Sequence, residues 1–280
     1  MGRRHGWDAV RVLGQFWRTC TDNHDWRRVR RTVVWRRHPA FCRSSVKNRK
    51  GESMELKLIA DISFSDTLGL DVYLPDAQAH PGARPLIMWV HGGGFRPGPG
   101  DDKSQSYIVT LSIEFAKRGY VCVSPDYRVR DKSSNDRAGM IADAVQDVDA
   151  ALSWIRERTD EYGIDRHNTF LAGGSAGGIT ATILGYTSAR QLNGLINLWG
   201  NPAPELTESF TYPERPPYFS VHGTADKLIP YENGPALLKN LHEHGIEAEL
   251  LTIPDGPHTP MRHREEIIEG IQRFIDRHSR

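Results

Sequence analysis

The sequence lacks any apolar run long enough to cross a membrane, because no stretch approaches the roughly 18 uninterrupted apolar residues that a spanning helix needs. Cysteine is also scarce. The three cysteines, Cys20, Cys42 and Cys122, form no even-numbered disulfide framework, and no Cys/His cluster has the spacing of metal ligands. We therefore expect neither a metal nor another cofactor. No apolar segment of the secretory type follows the first arginines, so we expect a cytoplasmic protein.

Acidic residues are rare at the start of the chain. Residues 1–53 contain 14 of the 36 Lys and Arg but only 4 of the 35 Asp and Glu, together with four of the seven Trp. Blocks of like charge repel one another. We therefore predict that residues 1–53 are a basic, Arg/Trp-rich extension that is disordered or not native, and that residues 54–280 form the folded domain. A targeting segment and a helical cap are alternatives.

Strands and helices alternate from residue 54 onward. Two early strands are predicted at Leu58–Ser63 and Leu70–Leu74, and the continuous apolar run Leu86–Val90 is typical of a strand buried on both faces of a parallel sheet. Further strands are predicted at Val121–Ser124, Thr169–Ala172, Leu195–Leu198, Tyr218–Val221 and Glu249–Ile253. Helices are predicted at Gln105–Arg118, Ala138–Arg158, from Ser175, at Pro235–Glu243 and at Glu265–Arg277. This alternation predicts an α/β fold whose mostly parallel sheet has helices on both faces.

The strongest chemical signal is the segment Gly-Gly-Ser-Ala-Gly at residues 173–177. It is a G-x-S-x-G motif between a predicted strand and a predicted helix, which is the context of a nucleophile elbow. Such a sharp turn leaves no room for side chains two residues before and after the serine, and Gly173 and Gly177 meet both demands. The alternative is a glycine-rich turn that binds phosphate through helix N-terminal amides. The context favours Ser175 as a nucleophile.

A second glycine motif, His-Gly-Gly-Gly-Phe at residues 91–95, directly follows the buried strand that ends at Val90. Acyl transfer requires backbone N–H donors aimed at the developing oxyanion, and glycines let the backbone approach that closely. We predict that the amides of Gly93, Gly94 and Ala176 form the oxyanion hole.

A serine nucleophile also needs a base and an acid, which in this arrangement follow it in the order Ser, Asp or Glu, His. Asp226 follows a predicted strand within His-Gly-Thr-Ala-Asp, and His258 lies early in the loop after the last predicted strand. His222 ends its strand and is interpreted as a buried structural histidine. Rival candidates for the acid are Glu205, Glu208 and Asp255.

The four motifs HGGGF, Asp-Tyr-Arg at residues 126–128, GGSAGG and HGTAD resemble those of the HGGG-type esterase/lipase group of α/β hydrolases. The likeness covers about residues 56–278 and is greatest to the compact branch of feruloyl- and acetylxylan-esterase-like proteins. It implies ester hydrolysis by Ser175, Asp226 and His258. Gly174 stands where many hormone-sensitive-lipase-like members have an acidic residue, which argues against that subgroup.

These observations predict a serine carboxylesterase that cleaves short-acyl or carbohydrate-linked esters through an acyl-enzyme. Phe95 and Arg96 should border the substrate pocket because they follow the oxyanion loop. The stretch Trp199–Pro217 has five prolines and three glutamates, so little or no lid is expected. The expected partner is a small-molecule or carbohydrate ester, with no nucleic acid and no membrane, and the sequence indicates no oligomeric state. Alternatives are an amidase or peptidase on the same triad, or a non-catalytic binding protein of this fold.

Overall fold

The computed structural model describes residues 40–47, 53–131 and 133–280 of the chain. The strands of this part form a single sheet: β1 (Ala40–Lys47), β2 (Ser53–Ser63), β3 (Gly69–Leu74), β4 (Arg84–Val90), β5 (Val121–Pro125), β6 (Ile164–Gly174), β7 (Gly194–Leu198), β8 (Tyr218–Gly223) and β9 (Ala248–Ile253). The helices are α1 (Ser106–Ala116), α2 (Arg137–Arg156), α3 (Thr159–Tyr162), α4 (Ala176–Thr187), α5 (Pro204–Thr207), α6 (Asn233–Glu243) and α7 (Arg264–His278), with a 3-10 turn at Met261–His263.

The strand order is β1-β2-β3-β5-β4-β6-β7-β8-β9. The first three strands are antiparallel to their neighbours, and all pairs from β5 to β9 are parallel. The chain leaves β4 towards β5 on one side and then crosses over to β6 on the other. Ligands of open α/β sheets bind at such a switch point, outside the carboxyl ends of the strands. The topology therefore predicts a binding site after β4 and β6.

The sheet has a hydrophobic core on each face. Along β4, Leu86, Met88 and Val90 contact one cluster, whereas Ile87 and Trp89 contact the other, and all five are fully buried. The first cluster takes its helical residues from α2, α3, α4 and α6, and the second from α1 and α7. The predicted mostly parallel sheet with helices on both faces is confirmed.

The boundary predicted after residue 53 is at odds with the strand pairing. The eight residues of β1 pair antiparallel with β2, from Ala40 opposite Ala60 to Lys47 opposite Ser53. The sheet thus begins upstream of the predicted boundary. The charge count averaged over 53 residues concealed an eight-residue strand with only two basic residues, and edge strands carry such charges readily. The remaining predictions for the extension lie outside the described residues.

None of the helices in the described ranges is long and apolar enough to span a bilayer.

The stretch between β7 and β8, where the sequence predicts little or no lid, packs against the body of the protein. Its side chains Phe210 and Tyr212 are buried against Tyr186 of α4, with ring centroids 5.4 and 5.3 Å away. The second half of this stretch is therefore packed against the end of α4.

One buried carboxyl group in the antiparallel part of the sheet has an unusual pKa. Asp71 on β3 accepts the N–H of Asp61 at 2.9 Å, while the Lys103 ammonium lies 4.0 Å away. Lys103 is closer to Asp61 and Asp126, at 2.9 and 3.2 Å. Burial raises the pKa of Asp71 to about 7, and the distant ammonium lowers it only in part.

Asp71→Asn is expected to raise the Tm at pH 8 by a few degrees and to leave it nearly unchanged at pH 4. The Asp71 carboxyl has a raised folded-state pKa, so its favourable contribution is complete below about pH 4 and is lost as the pH rises to about 7. The asparagine stays neutral and keeps an acceptor for the Asp61 N–H. Thermal melts at pH 4, 6 and 8 measure the difference between the two proteins. An equal Tm change at every pH would contradict the assignment.

Candidate active site

Ser175 lies in a sharp turn between β6 and α4, with φ 54° and ψ −121°. This is left-handed backbone, which a side chain disfavours and which clusters at functional sites. A Cβ on Gly177 would lie 2.1 Å from the carbonyl oxygen of Val90, and one on Gly173 would lie 2.3 Å from that of Gly177. Both positions therefore require glycine, as the elbow motif predicts.

A continuous hydrogen-bond chain connects the three residues predicted as the triad. His258 Nε2 lies 2.9 Å from Ser175 Oγ, and His258 Nδ1 lies 2.8 Å from Asp226 Oδ2. The side chain of Asp226 has no exposed area, whereas that of His258 is 17% exposed. The serine follows β6, the aspartate follows β8 and the histidine follows β9, so the carboxyl ends of three parallel strands bring them together.

The Asp226 carboxylate is held by hydrogen bonds on both oxygens. Its Oδ1 accepts the N–H groups of Leu228 and Ile229 at 2.8 and 3.1 Å, and its Oδ2 accepts from His258 and from His222. Burial alone would raise the pKa of Asp226, but the hydrogen bonds from His258 and the two backbone amides outweigh it and hold the pKa below the ordinary value. The group is therefore a stable anion at neutral pH.

The rival acids lie elsewhere. Glu205 is in α5 and lines a separate surface groove with Leu206. Glu208 follows the same helix and is exposed. Asp255 is exposed, and its backbone N–H bonds to the hydroxyl of Thr224. Of these carboxyl groups, only that of Asp226 contacts His258.

The glycine loop after β4 lies beside the elbow because Val90 and Gly173 are paired in the sheet. The N–H of Gly92 donates to Gln105 Oε1 at 2.8 Å and is therefore occupied. In the described part of the chain, the N–H groups of Gly93, Gly94 and Ala176 make no hydrogen bond. All three residues line the same cleft as Ser175. The predicted oxyanion donors thus lie in the same cleft as Ser175, and their N–H groups are not engaged by other described residues.

Two side chains brace this loop. Gln105 accepts from Gly92 and also donates from Nε2 to Asp101 Oδ1 at 3.1 Å. The Tyr127 hydroxyl donates to the carbonyl oxygens of His91 and Gly92, both at 3.0 Å, and its ring stacks on His91 at 4.2 Å. Such fixed donors and acceptors let the loop hold its amides in place without reorganisation.

The cleft around Ser175 has a volume of about 500 Å³. Phe95 and Arg96 line it, as predicted from their position after the loop, although Phe95 is only 3% exposed. Arg96 donates from Nη2 to the carbonyl of Ser134 at 3.0 Å. Residues that the sequence did not single out complete the lining: Asp101, Gln105, Tyr107, Asn135, Arg137, Met140, Ile179, Trp199, Leu228, Ile229 and Thr259.

These additional residues come from segments that are far apart in the sequence and that only the fold brings together. Leu228 is 73% exposed at the rim, and Trp199, which is fully buried with φ 48°, forms part of the wall. His222 and Asp226, four residues apart, are also in contact, which their spacing at the end of a strand does not predict. No group of three His, Cys, Asp or Glu side chains in the described residues could hold a metal ion.

Two family models match the chain. The BD-FAE model matches residues 70–207, which include Ser175 and the glycine loop, and the prolyl oligopeptidase family model matches residues 190–280, which include Asp226 and His258. Together the two matches span the whole candidate site.

Similar proteins carry esterase names. Esterase LipC of Mycobacterium tuberculosis is 25% identical over 203 residues, which are 56% of this chain and 48% of that protein. The chain thus spans about half the length of this curated relative. Among solved structures, Thermogutta terrifontis esterase 2 phosphoramylated by tabun has 22% identity and a TM-score of 0.60, covering 78% of this chain and 94% of that one. A truncated carbohydrate esterase from gut microbiota has 17% identity and a TM-score of 0.63, covering 78% and 96%. These proteins share the fold.

Proposed function

The chain is an α/β hydrolase similar to the esterase/lipase group, and we propose that it hydrolyses carboxylic esters with Ser175 as nucleophile, His258 as base and Asp226 as the orienting acid. The observation that carries the proposal is the unbroken hydrogen-bond chain from Ser175 Oγ through the His258 imidazole to the buried carboxylate. A serine hydroxyl is a weak nucleophile until an adjacent base accepts its proton, and this chain supplies that base.

In the first half of the reaction, His258 Nε2 takes the proton from Ser175 Oγ as the oxygen attacks the ester carbonyl. Asp226 fixes the tautomer of the imidazole and stabilises the cation that forms. The protonated His258 then returns the proton to the leaving alcohol, and an acyl-enzyme remains. In the second half, His258 deprotonates a water molecule, which releases the acid and restores Ser175.

The amides of Gly93, Gly94 and Ala176 stabilise the tetrahedral intermediates. Each amide N–H that contacts the oxyanion contributes about 2.7–4 kcal/mol to transition-state stabilisation. Gln105 and Tyr127 support this role because they bind the polar groups of Gly92 that the oxyanion does not need. The loop therefore enters the reaction already arranged.

The proposed substrates are esters of short acyl chains or of carbohydrates. The cleft combines polar side chains such as Gln105 and Arg137 with apolar ones such as Met140 and Ile179, and the stretch between β7 and β8 contributes only Trp199 to it. A cleft of about 500 Å³ without further cover from that stretch offers little room for an extended acyl chain. A solved neighbour described as a carbohydrate esterase supports the same substrate range.

A series of p-nitrophenyl esters tests this substrate range. We expect kcat/KM to reach its highest value between acetate and butyrate and not to rise for octanoate or palmitate. Each methylene group that is buried stabilises the complex by about 0.8 kcal/mol, and longer chains extend beyond the cover that the cleft provides. The measurement is kcat/KM for the four esters with the full chain, below their micellar concentrations. A rise that continues beyond octanoate would contradict the substrate range.

Amide hydrolysis is the second candidate, and the match to the prolyl oligopeptidase family over residues 190–280 favours it. That match covers the loops with Asp226 and His258 but not the Ser175 turn. Parallel assays with a p-nitrophenyl ester and the corresponding p-nitroanilide distinguish the two activities. Higher kcat/KM for the anilide would replace the esterase proposal with a peptidase.

A further inference from the structure

Asp226 accepts a hydrogen bond from a second imidazole, that of His222, which the proposed mechanism does not use. His222 Nε2 lies 3.0 Å from Asp226 Oδ2, the same oxygen that accepts from His258 Nδ1 at 2.8 Å. The side chains of His222 and Asp226 both have no exposed area. A buried polar pair of this kind must be satisfied by the protein itself, because water cannot reach it.

The neighbours of His222 define which nitrogen carries its proton. Asn201 Oδ1 accepts from the hydroxyls of Tyr218 and Ser220 at 2.7 and 3.0 Å, so its Nδ2 faces His222 Nδ1 at 2.9 Å. An amide nitrogen can only donate. His222 Nδ1 must therefore accept, and the proton of the neutral ring lies on Nε2.

The Nε2 proton is directed at Asp226 Oδ2 and at the carbonyl oxygen of Ile229, which is 3.1 Å away. Burial lowers the pKa of His222, so the ring is neutral at the pH of an esterase assay. The titratable groups that face it are Asp226, His258 beyond it and Tyr231, whose ring centroid lies 5.8 Å from that of His222 in an edge-on arrangement. Tyr218 acts on His222 only through Asn201.

We propose that His222 is a positioning residue for the catalytic acid: its Nε2–H holds Asp226 Oδ2 in line with His258, and Asn201 holds His222 in the tautomer that this requires. This inference rests on the proposed function, since it assigns His222 a role through Asp226. The two donors approach one oxygen from different residues, so the carboxylate cannot rotate without losing one of them. His222 also withdraws part of the negative charge that would otherwise act on His258 alone.

The test compares His222→Leu with His222→Gln. The leucine variant loses the donor, and we expect kcat to fall about tenfold or more with little change in KM, because a hydrogen bond to a charged group contributes about that much. The acidic limb of the kcat/KM profile should move to higher pH, since the full carboxylate charge then favours the protonated base. The glutamine variant can place an amide N–H near the former Nε2, so it should recover most of kcat and the wild-type limb.

Tyr231→Phe is the matched control. It removes the hydroxyl that bonds to Thr252 Oγ1 at 2.8 Å beside the same imidazole but leaves the Asp226 contacts intact. We expect a lower Tm with unchanged kcat and pH profile. If His222→Leu behaves in the same way, His222 is only structural and the proposal is overturned.

A spectroscopic measurement on the wild-type chain keeps the proposal testable if His222→Leu does not fold. Nitrogen-15 NMR of the imidazoles should show His222 protonated on Nε2 and not on Nδ1 at pH 8, where the lowered pKa of His222 leaves the ring neutral. A ring protonated on Nδ1, or on both nitrogens, would overturn the proposal. This NMR readout does not depend on turnover. The proposed function is tested separately, by the effect of Ser175→Ala on ester hydrolysis, so the failure of one proposal can be told from the failure of the other.

Discussion

Ser175→Ala is expected to lower kcat for ester hydrolysis by about a million-fold while the fold and Tm remain those of the wild type. The loss is large because no other group can form the acyl-enzyme, and the residual rate comes only from the oxyanion amides and substrate binding. Removing Oγ costs little stability, since it takes away one hydrogen bond, to His258 Nε2, at a half-buried position. Steady-state kinetics with p-nitrophenyl butyrate and thermal melts measure the two effects.

A fluorophosphonate probe gives an independent readout of the same residue. The wild-type chain should be labelled once, on Ser175, and the alanine variant should not be labelled. Ser209→Ala, which removes an exposed serine away from the cleft, is the control and should be labelled like the wild type. Esterase activity near the wild-type level in Ser175→Ala would refute the proposed function.

Asp226→Asn should lower kcat by about ten-thousand-fold, because an amide cannot accept on both sides. The two carboxylate oxygens each accept two N–H donors: Oδ1 from Leu228 and Ile229, and Oδ2 from His258 and His222. The backbone N–H groups of Leu228 and Ile229 can only donate, so the amide oxygen faces them and the NH₂ group faces the imidazoles. His258 Nδ1 must then accept, and the proton of the ring moves to Nε2, which can no longer accept from Ser175.

Asp255→Asn is the matched control for this variant. Asp255 lies three residues before His258 and was the neighbouring candidate for the acid, but it is exposed. Its carboxylate is not the one that bonds to His258, so its replacement should leave kcat within about twofold of the wild type and change the stability by less than about 0.5 kcal/mol, as surface substitutions usually do. If Asp255→Asn lost activity and Asp226→Asn kept it, the assignment of the acid would be reversed.

The alternation of elements was predictable because each strand of the parallel sheet is buried on both faces and reads as an apolar run, as Leu86–Val90 does. The first and last residues of the strands were less predictable. β6 begins at Ile164, five residues before the predicted Thr169, and the only partner of this early part in β4 is Arg84, which is opposite Ile164. β1 escaped prediction because its pairing with β2 depends on backbone hydrogen bonds, which leave no apolar signature in the sequence.

The residues that hold the catalytic groups could not be predicted from spacing. Gln105 reaches the Gly92 amide across 13 residues, and Asn201 reaches His222 across 21. Each of these contacts forms because the two residues are close in the folded chain. A single glutamine or asparagine forms no sequence motif from which its partner could be predicted. The same holds for Trp199 and Leu228, which line the cleft from two loops with no common motif.

The sequence by itself determined which chemistry is proposed, because a nucleophile elbow and an oxyanion loop need glycines at set distances from the reacting groups. These requirements involve residues that are close in sequence, so they are visible as the short motifs at residues 91–94 and 173–177. Only the tertiary structure decided which acid contacts His258, which amides remain unoccupied and which side chains bound the cleft. Each depends on where the carboxyl ends of β4, β6, β8 and β9 meet, and that arrangement exists only when the sheet is assembled.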